Sequence, residues 1–222
     1  SYEYDVLGNL SKMTDANGHS SSYGYDANKK LVLYTDPNGQ ATAFKYDPLG
    51  RIIETVAPTG SKQSFSYDAL GNRLSETSGE GHTTTYSYDS MNRVSSKKRP
   101  TGGETQYAYD TTGSLAKETD ANGHSTNYVN DLYGRVTKRT LPNEAAYTYA
   151  YDALGRLTKQ TGPQGLSKTY SYDVSGNLVQ ETDQSDRSNH YSYDKVGRLL
   201  TAKNALDLET KYSYDEAGNL AK

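Results

Sequence analysis

Eleven aspartates recur at intervals of 21 residues, at Asp5, Asp26, Asp47, Asp68, Asp89, Asp110, Asp131, Asp152, Asp173, Asp194 and Asp215. Carboxylates at fixed spacing are the raw material of general acid–base catalysis. A working pair needs carboxyl groups about 5–9 Å apart in unlike surroundings, so that one keeps its proton while the other has lost it. Equivalent residues on every second strand lie ~9.5 Å apart in identical surroundings, so turn capping is the better reading. His19, His82 and His124 share one column behind a turn glycine, and His190 stands elsewhere. Residues of one column, whole hairpins apart, do not converge on one metal. Asp15-Ala16-Asn17-Gly18 lacks the further oxygen ligands and terminal Glu of a calcium loop. Serines are plentiful without a Gly-x-Ser-x-Gly elbow, and zero cysteines remove thiolate ligands and nucleophiles. The expectation is no enzyme, no cofactor and no metal.

The elements that carry these aspartates repeat with them. Each Asp follows Tyr-x-Tyr or Phe-x-Tyr, with Tyr4, Tyr25, Tyr46, Tyr67, Tyr88, Tyr109, Tyr151, Tyr172, Tyr193 and Tyr214 immediately before it and Asn130 as the one departure. Of 24 aromatic residues, 21 fall in these two columns, which is the signature of a stacked repeat architecture. Asp-x-x-Gly then closes a turn with Gly8, Gly50, Gly71, Gly113, Gly134, Gly155, Gly176, Gly197 or Gly218; Lys29 and Asn92 replace the glycine in the other two copies. Half a repeat later a second turn follows, as in Asp36-Pro37-Asn38-Gly39. Asp accepts from the turn's own N–H groups, Pro presets φ, and Gly adopts φ > 0 without steric cost.

Between turns lie segments of single-strand length rich in Tyr, Thr and Val, such as Arg51 to Val56 and His19 to Tyr25. Both ring positions point to one face and a small residue such as Ser66 or Ser171 to the other, so each repeat reads as a β-hairpin. Arg73 occupies an otherwise aliphatic column, with Leu74 one place late, which predicts a bulge confined to that copy. The odd period of 21 requires loops of unequal length or a recurrent bulge. The expected arrangement is a three-residue loop at one edge and a two- or four-residue loop at the other.

Only 33% of residues are hydrophobic, so the tyrosine columns are expected to supply a thin core in place of an aliphatic one. Apolar residues at the third turn position (Leu7, Leu49, Leu70, Met91, Tyr133, Leu154, Val196) predict that the Tyr-Asp edge is covered and the Asn-rich edge is wet. A net charge of −3 from 24 basic and 27 acidic residues mixed along the chain gives no case for nucleic acid or an anionic membrane. No stretch approaches the ~20 apolar residues of a membrane span. The fold class is therefore all-β: about eleven 21-residue β-hairpin repeats in one long antiparallel sheet, spirally wound into a shell or tube. Residues 1–222 are expected to be a single array and a segment of a longer protein, because both ends fall inside repeats.

The consensus of Gly-Arg/Asn-Leu, then Thr-Asp-Pro-Asn-Gly, then Tyr-x-Tyr-Asp-x-x-Gly resembles the YD repeats of the Rhs family over the whole chain, with Arg51, Arg93, Arg135, Arg156 and Arg198 alternating with Asn9, Asn72, Asn177 and Asn219. This family includes bacterial Rhs polymorphic toxins, insecticidal toxin-complex subunits, wall-associated proteins and teneurins. The resemblance implies a non-catalytic β-shell of a large secreted or cell-surface bacterial protein, with an enclosed effector domain and the rest of its own chain as partners. Two alternatives stand beside it. One is a filament or tube built from further copies, and the other is a glycan-binding module using the Tyr columns.

Overall fold

A computed structural model describes residues 1–221. It is all-β: 21 antiparallel strands assigned to one sheet, joined by tight turns, with a single 3-10 turn at Pro163–Gly165. The chain forms two compact units, Ser1–Tyr107 with Asp120–Asn122, and Ala108–Thr119 with the residues from Gly123 onward. Within each unit, strands of five and six residues alternate, as in Ile52–Val56 then Lys62–Tyr67, and Leu157–Thr161 then Ser167–Tyr172. Ile52–Val56 and Leu157–Thr161 each pair with the strand before and the strand after in sequence.

The two turns of a repeat are the same, which corrects the expectation of unequal loops. In the first kind Asp47 N–H donates to Arg51 C=O at 3.0 Å and Gly50 N–H to Asp47 C=O at 2.9 Å. In the second, Asp36 N–H donates to Gln40 C=O at 2.9 Å and Gly39 N–H to Asp36 C=O at 3.0 Å. Both are three-residue loops ending in a left-handed residue, with φ of 83° at Gly50 and 78° at Gly39.

The odd residue of the period sits in the ladder instead. Tyr46 pairs with Ile52 but Lys45 pairs with Glu54, which leaves Ile53 unpaired. The same skip recurs at Val32, Ser95, Thr158, Val179 and Leu200. Leu74 is skipped in the same way, so the bulge expected only beside Arg73 belongs to the general pattern. Arg73 keeps the register of the aliphatic column and lays its guanidinium over the Phe65 ring, 5.6 Å from the centroid. Where the skipped residue is Thr158, its hydroxyl donates at 3.2 Å to the Ala150 carbonyl across the bulge.

The tyrosine columns do not enclose a core. No hydrophobic side chain is fully buried among the described residues, and Ser21 alone falls in the buried class. The Tyr-x-Tyr rings from Tyr23 onward are half-buried on one face by their neighbours in the sheet, while Tyr2 and Tyr4 are exposed. A single sheet layer has nothing to press upon a ring from above, so coverage comes from the side. The cover expected for the apolar turn residues is likewise not supplied among the described residues. Leu49, Leu70 and Leu154 are 71%, 75% and 76% exposed because each turn projects beyond the end of its ladder.

Candidate functional site

The polar side chains converge at the Tyr-Asp edge, where one repeat meets the next. Within a turn, Asp152 Oδ1 accepts the backbone N–H of Leu154 at 3.0 Å and of Arg156 at 2.9 Å. Its Oδ2 accepts Arg156 Nε at 2.7 Å. Arginine at this position reaches onward as well as back. Arg156 Nη1 donates at 3.0 Å to the Asp173 carbonyl of the following turn, and its guanidinium lies 4.7 Å from the Tyr172 ring centroid. The Tyr172 hydroxyl donates at 2.9 Å to the Leu157 carbonyl. Asp47, Arg51, Asp68, Tyr67 and Ile52 repeat the pattern at 2.6 Å, 2.7 Å and 2.9 Å, with the guanidinium 4.8 Å from the ring centroid.

The tyrosine hydroxyl answers a backbone need. On the hairpin side of each five-residue strand the ladder runs to the turn, as in Tyr151 with Leu157. On the other side it stops at Lys159 with Thr169, short of Leu157. The Leu157 carbonyl is thereby left for Tyr172 to satisfy from the next hairpin. The same bond runs from Tyr46 to Leu31 at 2.7 Å, from Tyr88 to Arg73 at 2.9 Å and from Tyr214 to Leu199 at 3.0 Å. Sequence reading placed Tyr and Arg in fixed columns but did not find this joint role. The signal was present as a constant step of 16 residues from Arg to Tyr.

Electrostatics follow from these bonds. Backbone and side-chain donation from Arg156 holds the Asp152 carboxyl below its ordinary range, and Asn177 does the same for Asp173. The Thr112 hydroxyl is the main cause that brings Asp110 down to about 2, and Arg187 brings Asp183 to about 2. Burial raises Tyr151 and Tyr193. Every shift favours the charge state these groups already hold at neutral pH, which suits them to holding structure and unsuits them to passing protons.

The predicted site residues occupy equivalent places repeat by repeat. Each of the eleven aspartates donates its N–H to the carbonyl four residues on and accepts the N–H three residues on at its own carbonyl, from Asp5 to Asp215. Gly8, Gly50, Gly71, Gly113, Gly134, Gly155, Gly176, Gly197 and Gly218 all have positive φ. Tyr25, Tyr109 and Tyr193 are half-buried in the same column as Tyr172. Among the described residues no three His, Cys, Asp or Glu side chains gather where they could hold a metal ion. A shallow groove of about 380 Å³ lies beside Glu181, Asp183 and Arg187. Glu181 Oε1 there accepts from Asn189 and Tyr191, and Asp183 from Arg187.

Residues 4–41, 25–62, 67–104, 131–167, 151–188 and 193–222 each match the RHS Repeat family. The chain belongs to the RHS Repeat family. RHS Repeat geometry recurs in solved structures. The crystal structure of TcdB2-TccC3 superposes with a TM-score of 0.77 at 18% identity, covering 99% of this chain and 14% of that one. TcdB2-TccC3 without its hypervariable C-terminal region gives 0.78 at 18% identity, over 99% of this chain and 13% of that one. A variant Tc holotoxin pore from Photorhabdus luminescens gives 0.53 at 17% identity, over 90% and 14%. At this identity the likeness establishes the fold, and this RHS Repeat chain spans only 13–14% of those chains. No curated protein sequence matches it.

Proposed function

We propose that residues 1–222 are one array in the wall of a larger bacterial protein, secreted or displayed at the cell surface. The wall winds into a shell around an effector domain of the same protein. The observation that carries this reading is a division of labour between chemistries. Polar groups at the Tyr-Asp edge are used between successive repeats, as with Asp152, Arg156 and Tyr172. Apolar side chains at the same edge project outward, Leu49 and Leu70 in the first unit and Leu154 and Val196 in the second. A wall needs its repeats joined to one another and a seam to join what lies alongside. Family membership and the fold shared with the far longer TcdB2-TccC3 chains support the same reading. The segment has a structural and not a catalytic role, and its partner is the rest of its own chain.

The test uses the full parent protein. Leu70→Asp together with Leu154→Asp opens the seam, so protease cleavage of the enclosed domain rises. The same pair leaves the thermal midpoint of the isolated segment nearly unchanged, because exposed positions tolerate substitution within about 0.5 kcal/mol. Unchanged protection of the enclosed domain in the double variant overturns the reading, and so does growth of the unaltered segment into long fibres under the electron microscope.

A further inference from the structure

The repeats depart from their consensus in a pattern that the edge geometry explains. Counting from the residue four places after each Tyr-Asp aspartate, a tyrosine follows 16 residues on and a glycine 20 residues on. All six cations at that place, Lys30, Arg51, Arg93, Arg135, Arg156 and Arg198, are followed by both. The three departures each follow a short side chain: Lys29 stands for the glycine after Asn9, Asn92 for the glycine after Asn72, and Asn130 for the tyrosine after Ser114.

We infer that this residue biases which repeat can follow it: a long cation favours Tyr and Gly in the next repeat, and Asn or Ser relaxes one of the two. The cation needs the ring because it lies on it, at 4.8 Å for Arg135 on Tyr151 and 4.7 Å for Arg198 on Tyr214. At some junctions its tip also approaches the next turn. Lys30 Nζ fills the space that a Cβ on Gly50 would take, Arg135 Nη1 lies 3.3 Å and Arg198 Nη1 3.6 Å from a Cβ placed on Gly155 and Gly218, and nothing lies within 4 Å of one on Gly71 after Arg51.

At the Ser114 junction the departing residue takes over missing bonds, whereas Asn9 and Asn72 hold Asp5 and Asp68 Oδ2 themselves. Ser114 is too short to reach Asp110 Oδ2, so Asn130 Nδ2 donates there at 3.1 Å and also to the Leu115 carbonyl at 2.9 Å, the group a tyrosine hydroxyl otherwise satisfies. Asn72 Nδ2 donates to Asn92 Oδ1 at 3.1 Å, and Lys29 Nζ reaches the Leu7 carbonyl at 3.3 Å. Lys29 and Asn92 hold φ of 62° and 61°, a left-handed conformation that glycine adopts most easily, Asn less so and Lys least. Both therefore bond back across the junction from positions where glycine is the easier residue.

Two double-variant cycles in the 222-residue chain, read as urea midpoints, test the rule. Ser114→Arg and Asn130→Tyr each lack their counterpart. Their combination is expected to fold with an equilibrium constant about two- to five-fold above the additive value, the contribution of an exposed cation–ring pair. At the second junction, Asn72→Arg lowers the midpoint beside Asn92 and ceases to do so once Asn92→Gly is present. If glycine were needed for its φ alone, the gain from Asn92→Gly would be the same beside Asn72 and beside Arg at that position. Both component residues already coexist at other junctions of this chain, so each double variant reconstructs a native combination. Additivity at either junction overturns the inference.

Discussion

A carboxylate with both oxygens engaged loses a bond when it takes a proton, so the turn aspartates tie stability to pH. Asp110 and Asp183, held at about 2 against an ordinary value of 3.8, are the most strongly depressed. A depressed folded value means stability fully present above the unfolded value and lost as pH falls through the folded one. Urea midpoints are therefore expected to be flat above about pH 5 and to fall between about pH 4 and pH 2. Asp183→Asn removes part of that slope. A midpoint that falls steadily from pH 7 contradicts the assignment. The tyrosine hydroxyl makes a separate contribution. Tyr172→Phe keeps the ring under Arg156 and removes the bond to the Leu157 carbonyl, at an expected cost of about 0.5–1.5 kcal/mol. Loss of less than that by denaturant unfolding places the carbonyl in contact with water.

Identical turns at both edges force the odd residue of each repeat into the strand pair, and the pair accepts it as a bulge. Side-chain direction alternates along a strand, so the bulge decides which face every later residue presents. Deleting Thr158 alone removes one bulge from the Tyr151–Leu157 hairpin. It turns Lys159, Gln160 and Thr161 to the opposite faces, and a large drop in thermal midpoint is expected. The two turns differ in what they demand of sequence. At the second edge Ala57, Ser78 and Leu141 replace Asp and the backbone bonds remain, at 2.8 Å, 2.9 Å and 2.9 Å. At the Tyr-Asp edge the carboxylate also anchors the residue that reaches the next repeat, so all eleven copies keep it.

Stability that passes from each hairpin to its neighbours without a central core behaves as a linear sum of repeats and junctions. Excising the 21 residues 152–172 places Asp173 directly after Tyr151 and presents Arg135 with Tyr151 and Gly176, a compatible junction. The shortened chain is expected to keep its strand signature in circular dichroism with a modest fall in midpoint, whereas the one-residue deletion of Thr158 does far more harm. A larger loss from removing the whole repeat would mean that distant repeats support one another.

The sequence alone determined the period, the hairpin unit, the family and the turn role of the aspartates, because Pro, Gly and Asp at fixed offsets act through local backbone geometry. It also bounded the ladder arithmetic without resolving it. Unequal loops and a recurrent bulge both satisfy a period of 21, and only the register of Lys45 with Glu54 beside Tyr46 with Ile52 chose the bulge. Tertiary structure likewise decided what the tyrosines do. Composition suggested rings buried in a core, but a single layer leaves them half-covered and sets their hydroxyls on carbonyls 15 residues back, as in Tyr67 on Ile52. That bond depends on where one ladder stops and the next begins, a relation between hairpins that no single repeat contains.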